Sequence, residues 1–354
     1  MMQEKPIRMV VAGTGTMARY HVRRFTSFPG VTIVGCYDRS QRRAEEFSRE
    51  MGLTYATSDL DALLRTHPVD AVSGAVADSE HYYVAATAIR HNTAVFLEKP
   101  FTTTVSEAQH ILALQQDYHV PVVVNFSKIN YPSMWGMIHA IENGFAGTPQ
   151  HLDLSYLQSW LITTVWGEWW RDPRWLWRIS SSHGGGGALR DLGSHLVYVA
   201  LCIAGPASTC NVTTEQRADR NAASASGYSC DMNDSFSIRL THTNGIHTTI
   251  RGSYAEAGHV NTVRASLIGS ERVLLSDTGA HQNEMNTYRP LPLRSHLTPC
   301  ASGTCTQHTI HSSQDFEHHA VGTRSHRQPS RLSECNRFWI AALCPRDSDT
   351  LPPR

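Results

Sequence analysis

The chain has 354 residues, 41 % hydrophobic and 18 % charged, which is enough for two domains with substantial cores. Its 31 basic and 31 acidic residues balance, so no net field draws it to nucleic acid or to an anionic membrane surface. The opening residues lack a secretory apolar segment, and no apolar run approaches the ~20 residues of a membrane span, so a cytoplasmic setting is expected. Cys36, Cys202, Cys210, Cys230, Cys300, Cys305, Cys335 and Cys344 form no C-x-x-C pair and read as reduced thiols. The histidines are dispersed, without an H-E-x-x-H, so no metal site is expected.

From the amino terminus, strand and helix patterns alternate. Strands are predicted at Ile7–Ala12, Thr32–Tyr37, Ala71–Val76, Ala94–Leu97 and Pro121–Phe126. Helices are predicted at Met17–Ser27, Gln41–Met51, Leu60–Thr66, Glu80–His91 and Val105–Tyr118, the last behind a capping box from Thr104 to Glu107. Such alternation gives an α/β, doubly wound parallel sheet over residues 1–126. A helix from Pro132 to Asn143 leads into an α+β region, residues 127–278, with a large, mostly antiparallel open sheet. It takes strands at His151–Tyr156, Cys210–Thr214, Ser235–Thr241, Ile246–Gly252, Thr262–Ile268 and Arg272–Ser276, and one helix from about Ala188 to Ile203. Asn244-Gly245 signals a type I′ hairpin, and Gly269-Ser270 turns a second one. Residues 279–354 form a divergent segment with little periodicity, Phe338–Leu343 excepted.

Three motifs carry chemistry. The first strand runs into Gly13-Thr14-Gly15-Thr16-Met17-Ala18, a glycine turn opening a helix. Gly13 permits the tight turn, Gly15 lets a pyrophosphate approach the backbone, and Ala18 stands at the usual third glycine. Asp38 ends the second strand where an acid can take the ribose hydroxyls of NAD, and Arg39 and Arg42 beside it could accept NADP instead. The second motif is Glu98-Lys99-Pro100, at a strand's carboxyl end, where ligands bind in such sheets. Lys99 is one of only three lysines, with Lys5 and Lys128, against 28 arginines. An ammonium can move a proton near neutrality and a guanidinium cannot. The third is Gly185-Gly-Gly-Ala-Leu-Arg-Asp191-Leu-Gly-Ser-His195. Asp191 and His195 share a helix face at i,i+4, so the carboxylate can support a general base. A surface pair of the same spacing is the plainer reading.

In this order the three motifs resemble the Gfo/Idh/MocA oxidoreductases, the glucose–fructose oxidoreductase and inositol dehydrogenase family, from about Ile7 to Leu275. Gly144-Phe-Ala-Gly147 resembles the family's entry to the second sheet. The resemblance implies a Rossmann domain followed by an α/β domain whose open sheet makes homodimers or homotetramers. It also implies a cis bond before Pro100, with Lys99, Asp191 and His195 as catalytic residues and His195 as the acid/base. Gly13, Thr14, Gly15, Thr16, Met17, Asp38, Arg39, Glu98 and Lys99 would bind NAD or NADP, with NAD favoured. Tyr156-Leu-Gln-Ser-Trp160 and Trp175-Leu-Trp-Arg178 resemble a sugar-oxidising subgroup that includes levoglucosan dehydrogenases. A sugar or polyol substrate would then meet Lys128, Trp160, Trp177 and Arg178 beside the catalytic residues. Tyr198 replaces a frequent aspartate and Lys128 a frequent arginine. The implied activity is an NAD(P)-dependent dehydrogenase of sugar, polyol or cyclic-alcohol hydroxyls. An NAD-dependent glycosidase and a non-catalytic NAD(P)-binding sensor are the alternatives.

Overall fold

The computed structural model describes residues 6–278 and the strand 287–292; the run Phe338–Leu343 lies outside the described residues. The chain divides into two compact units between Asn125 and Phe126.

The first unit alternates β1 (Ile7–Ala12), α1 (Thr16–Thr26), β2 (Val31–Tyr37), α2 (Gln41–Met51), β3 (Tyr55–Thr57), α3 (Leu60–Thr66), β4 (Ala71–Gly74), α4 (His81–Arg90), β5 (Ala94–Leu97), α5 (Val105–Tyr118) and β6 (Val122–Val124). All six strands pair in parallel, in the order β3-β2-β1-β4-β5-β6 of a doubly wound dinucleotide fold. The order reverses between β1 and β4, which opens a crevice at the carboxyl ends of those strands. Met9, Val11, Ile33 and Cys36 of the sheet pack with Ala18 and Val22 of α1 and Ala44 and Phe47 of α2. The local code explains the helix ends. Ser40 and Asp59 cap α2 and α3, Gly52 closes α2 in the left-handed region, and the Thr104–Glu107 capping box is complete. The three-residue β3 was not expected, because so short a half-buried strand shows no alternation.

The second unit contains α6 (Pro132–Glu142), β7 (Pro149–Leu157), the single turn α7 (Pro173–Leu176), α8 (Ser194–Ala204), β8 (Ala207–Glu215), β9 (Ser235–His242), β10 (His247–Ser253), β11 (Thr262–Gly269), β12 (Arg272–Asp277) and β13 (Thr287–Pro292). The strands form one mixed sheet in the order β13-β12-β11-β7-β10-β9-β8, antiparallel except for β7 with β10. Helix α8 packs on β7 and β10. The predicted tail thus contributes one described strand, β13, at the sheet edge.

Two expectations change in detail. The β9–β10 connection is a three-residue loop closed by His242 and Ile246, and Asn244 does not take the positive φ that a type I′ turn needs. The Asn244 side chain instead donates to the Ala204 carbonyl, tying the hairpin to the end of α8. The helix expected from Ala188 to Ile203 begins as a π-helical turn, Leu189–Gly193, before α8. Such turns concentrate at functional sites.

Candidate functional site

In the first unit, the glycine turn leaves β1 at the crevice. Gly13 has φ +103°, and a Cβ there would lie 2.2 Å from the Ala75 carbonyl oxygen, so both conformation and space demand glycine. Gly15 differs: a Cβ would meet nothing within 4 Å. The chain itself therefore does not require glycine at 15, whereas a pyrophosphate brought against the backbone would, so the turn fits a dinucleotide. Ala18 is fully buried under the sheet. Thr16 and Met17 begin α1, whose first turn carries no acidic side chain that would compete with an anion.

Asp38 follows β2. Its carboxylate accepts from the Thr14 hydroxyl at 2.6 Å and the Ser40 N–H at 3.0 Å, and the Arg43 guanidinium lies 3.4 Å away. Arg43 also donates to Thr14 at 3.0 Å. The two arginines singled out in the sequence are turned elsewhere, Arg39 onto Glu80 and Arg42 onto Glu46. Arg43, on the first turn of α2, is the guanidinium that sequence reasoning missed.

Glu98-Lys99-Pro100 follows β5, and the Lys99–Pro100 peptide is cis, as the resemblance implies. Burial opposes the charge on Glu98. Hydrogen bonds from His21 at 3.0 Å and Asn125 at 2.7 Å outweigh it and hold the carboxyl below its ordinary range. On the far side of Lys99, the Pro100 carbonyl accepts from His81 Nδ1 at 2.6 Å. Neither histidine was anticipated. The available signal for His21 was a polar ring on the apolar face of α1, alongside the buried Ala18 and Val22.

In the second unit, Gly185 and Gly187, ahead of the π turn, make room for the chain itself. A Cβ on Gly185 would collide with the Trp177 carbonyl, and one on Gly187, at φ +66°, with the Asn233 carbonyl. Asn233 then anchors the helical start, accepting from Ala188 N–H through its backbone and from Leu189 N–H through its side chain. Asp191, on the π turn, accepts a 2.7 Å hydrogen bond from the Tyr254 hydroxyl and faces Arg178 Nε at 3.8 Å. Tyr254 is fully buried; burial and the Asp191 charge push its phenol well above the ordinary range, so it acts as a donor.

His195, on the first turn of α8, is 5 % exposed, with the rings of Phe126 and Tyr156 set edge-on at 6.1 and 6.2 Å. Tyr198 stacks on Phe126 at 4.5 Å. Lys128 donates to the Tyr131 hydroxyl at 2.8 Å and sits 5.0 Å from the centre of the Tyr156 ring. Burial raises the Tyr156 phenol and Lys128 opposes it. Gln158 joins Tyr156 to Asn261. Trp160 is 1 % exposed and packs against Trp169, Trp175 and Tyr254, which places it beneath the site as a support. Trp177 is half-buried, and the Arg178 guanidinium lies over the rings of Trp175 and Trp177, at 4.9 and 5.0 Å from their centres. Tyr254, 63 residues from Asp191, was not legible in the motif.

Comparison with known proteins adds to this geometry. Residues 7–126 match the model of an oxidoreductase family with an NAD-binding Rossmann fold, and residues 136–274 match the GFO/IDH/MocA C-terminal domain. UDP-N-acetylglucosamine 3-dehydrogenase of Acidithiobacillus ferrooxidans is 30 % identical over 151 residues, 43 % of this chain and 45 % of that protein. D-apiose dehydrogenase of Paraburkholderia graminis is 23 % identical over 251 residues, 71 % of this chain and 61 % of that protein. The chain thus spans about half the length of the curated relatives it matches, 45 % and 61 % for these two. A levoglucosan dehydrogenase solved in complex with NADH shares the fold, with a TM-score of 0.69, 20 % identity, and coverage of 82 % of this chain and 80 % of that one.

Proposed function

The chain belongs to the Gfo/Idh/MocA oxidoreductase family, and from that premise we propose that it is an NAD-dependent dehydrogenase acting on a hydroxyl of a sugar, polyol or related cyclic alcohol. The observation that carries this reading is the glycine turn at the end of β1. Its second glycine leaves open the space a dinucleotide needs, in the same unit that sets Lys99 at the end of β5. The relatives named for oxidation at sugar hydroxyls give the substrate class.

Gly13, Thr14, Gly15, Thr16 and Met17 would hold the pyrophosphate, Asp38 the ribose hydroxyls, and Glu98 and Lys99 the nicotinamide end. NAD, when bound, supplies a ring carbon that accepts or returns a hydride. Asp38 repels a 2′-phosphate, and the ion pairs of Arg39 and Arg42 leave them poorly placed to attract one, which favours NAD over NADP. His195 takes the substrate hydroxyl proton, and the Lys99 ammonium stabilises the developing alkoxide. Asp191, held by Tyr254 and Arg178, stands one helical turn from His195 and can orient it. Lys128, Trp177 and Arg178 meet the substrate, the Trp ring covering an apolar sugar face; Trp160 acts by packing. A cytoplasmic setting and a homodimer or homotetramer complete the reading. The sheet face around Asp153, Ser155, Arg251, Arg264 and Asp277 encloses about 620 Å³ and suits a second copy.

Purified protein is to be incubated with a panel of sugars and inositols, with NAD and NADP in parallel, and reduced nicotinamide followed by absorbance. At least one substrate is expected to give a signal with NAD. Lys99→Ala is expected to lower kcat by roughly 10²- to 10⁴-fold in a protein that still binds NAD through its glycine turn. A flat response to the whole panel, or unchanged turnover in Lys99→Ala, overturns the assignment.

A further inference from the structure

Lys99 stands between two residues that are each tied to a buried histidine, and we propose that His21 and His81 are positioning residues that aim its ammonium. On the amino-terminal side, Glu98 Oε1 accepts from His21 Nε2 at 3.0 Å and from Asn125 Nδ2 at 2.7 Å, while Oε2 accepts from the Lys99 N–H at 3.3 Å. The other His21 nitrogen meets the Ser73 hydroxyl on β4 at 2.8 Å, and the rings of Phe25 and Phe96 stand edge-on to the imidazole. His21 is 2 % exposed, so it has little room to take another rotamer. On the carboxyl-terminal side, the Pro100 carbonyl accepts from His81 Nδ1 at 2.6 Å, and His81 is 1 % exposed.

The chemistry at His81 separates aiming from mere packing. A carbonyl can only accept, so Nδ1 carries a proton and donates in that bond. The ring's Nε2 is buried and has no hydrogen-bond partner among the described residues. A buried polar atom without a partner costs stability, and an apolar side chain would fill the same space without that cost. What the imidazole adds is the bond to Pro100. His21 adds a second link: it lies on α1, the helix that opens at the glycine turn, so the helix that receives the cofactor phosphates also fixes the neighbour of Lys99.

This inference rests on Lys99 being the reactive ammonium, so its test carries one readout that is independent of turnover. His81→Leu removes the donor, while His81→Asn puts an amide nitrogen where Nδ1 stood. His21→Leu and His21→Gln form the matching pair, the glutamine amide replacing Nε2. The leucine variants are expected to lower kcat at least about tenfold with the KM for NAD within about twofold, and the amide variants to recover most of it. The second readout uses the lysine count. With Lys5, Lys99 and Lys128 as the only lysines, reductive ¹³C-methylation gives three side-chain NMR signals besides the amino terminus. The Lys99 signal, identified by its loss in Lys99→Arg, is expected to move in the leucine variants and return in the amide variants, while Lys5 and Lys128 stay fixed. If no substrate is found yet the Lys99 signal moves, the dehydrogenase reading fails and the positioning survives. If folded His81→Leu and His21→Leu proteins leave both kcat and the Lys99 signal unchanged, the positioning is overturned. Should a leucine variant not fold, His81→Gln, whose amide reaches one bond too far for Pro100, replaces it and is read in the same way.

Discussion

A single oxygen atom, the hydroxyl of Tyr254, tests how the second unit holds its carboxylate. Because Tyr254 is fully buried and its phenol is pushed well above the ordinary range, it meets Asp191 only as a donor. Tyr254→Phe keeps the ring packed against Trp160 and removes that bond. A hydrogen bond to a charged group is worth about 1.5–3 kcal/mol, so kcat/KM is expected to fall roughly 10- to 100-fold. An unchanged kcat/KM in folded Tyr254→Phe would show that Tyr254 serves packing alone. Lys99, Asp191 and His195 were legible as candidates because each sits in a local spacing pattern. Tyr254 beside Asp191, His21 on Glu98, His81 on Pro100 and Arg43 on Asp38 were not legible, since pairing through space leaves no periodic trace in one sequence.

At the scale of elements, the two glycines of the β1–α1 turn have different reasons to be glycine, and alanine at each should report the difference. Gly13→Ala forces a side chain into positive φ and against a backbone carbonyl that cannot yield, at a cost of roughly 2–4 kcal/mol visible as a lower melting temperature. Gly15→Ala meets open space at an extended φ of −81°, so stability should change by less than about 1 kcal/mol. NAD affinity, measured by titration calorimetry, should nevertheless drop at least about tenfold. Equal losses of stability in the two variants would contradict this division. The strand and helix alternation of the first unit could be read from periodicity and caps. The π turn at Asp191 and the three-residue loop before Ile246 could not, because both are set by contacts with Asn233 and Ala204. Strand β8 runs to Glu215, past its predicted end at Thr214, because an exposed edge strand carries little apolar alternation.

Across the molecule, two carboxylates that burial would raise are held below their ordinary pKa, Glu98 in the first unit and Asp234 in the second. Burial raises both Glu98 and Asp234, but donors outweigh it: His21 and Asn125 for Glu98, and the Arg217 and Ala218 N–H groups with Arg220 and Ser235 for Asp234. A carboxylate whose folded pKa is depressed stabilises the fold above its unfolded pKa, and that contribution is lost as pH falls through the folded value. The melting temperature is therefore expected to decline as pH drops below about 4, where unfolded carboxylates begin to protonate. Asp234→Asn should flatten the decline in the second unit, as followed by differential scanning calorimetry between pH 5 and 3. A melting temperature independent of pH in the wild type would show that these donors do not offset burial.

Strand β7 lies mid-sheet between β10 and β11, with Leu152 opposite Thr248 on one side and Leu267 on the other. Its nearer partner arrives about a hundred residues later, an interval of on the order of 5–20 s at ordinary ribosomal speed. The sheet of the amino-terminal unit, whose last strand ends at Val124, can close during that wait. The nascent β7 meanwhile carries Leu152, Leu154 and Leu157 with both backbone edges unpaired, which makes the half-translated chain the stage at which chaperones matter most.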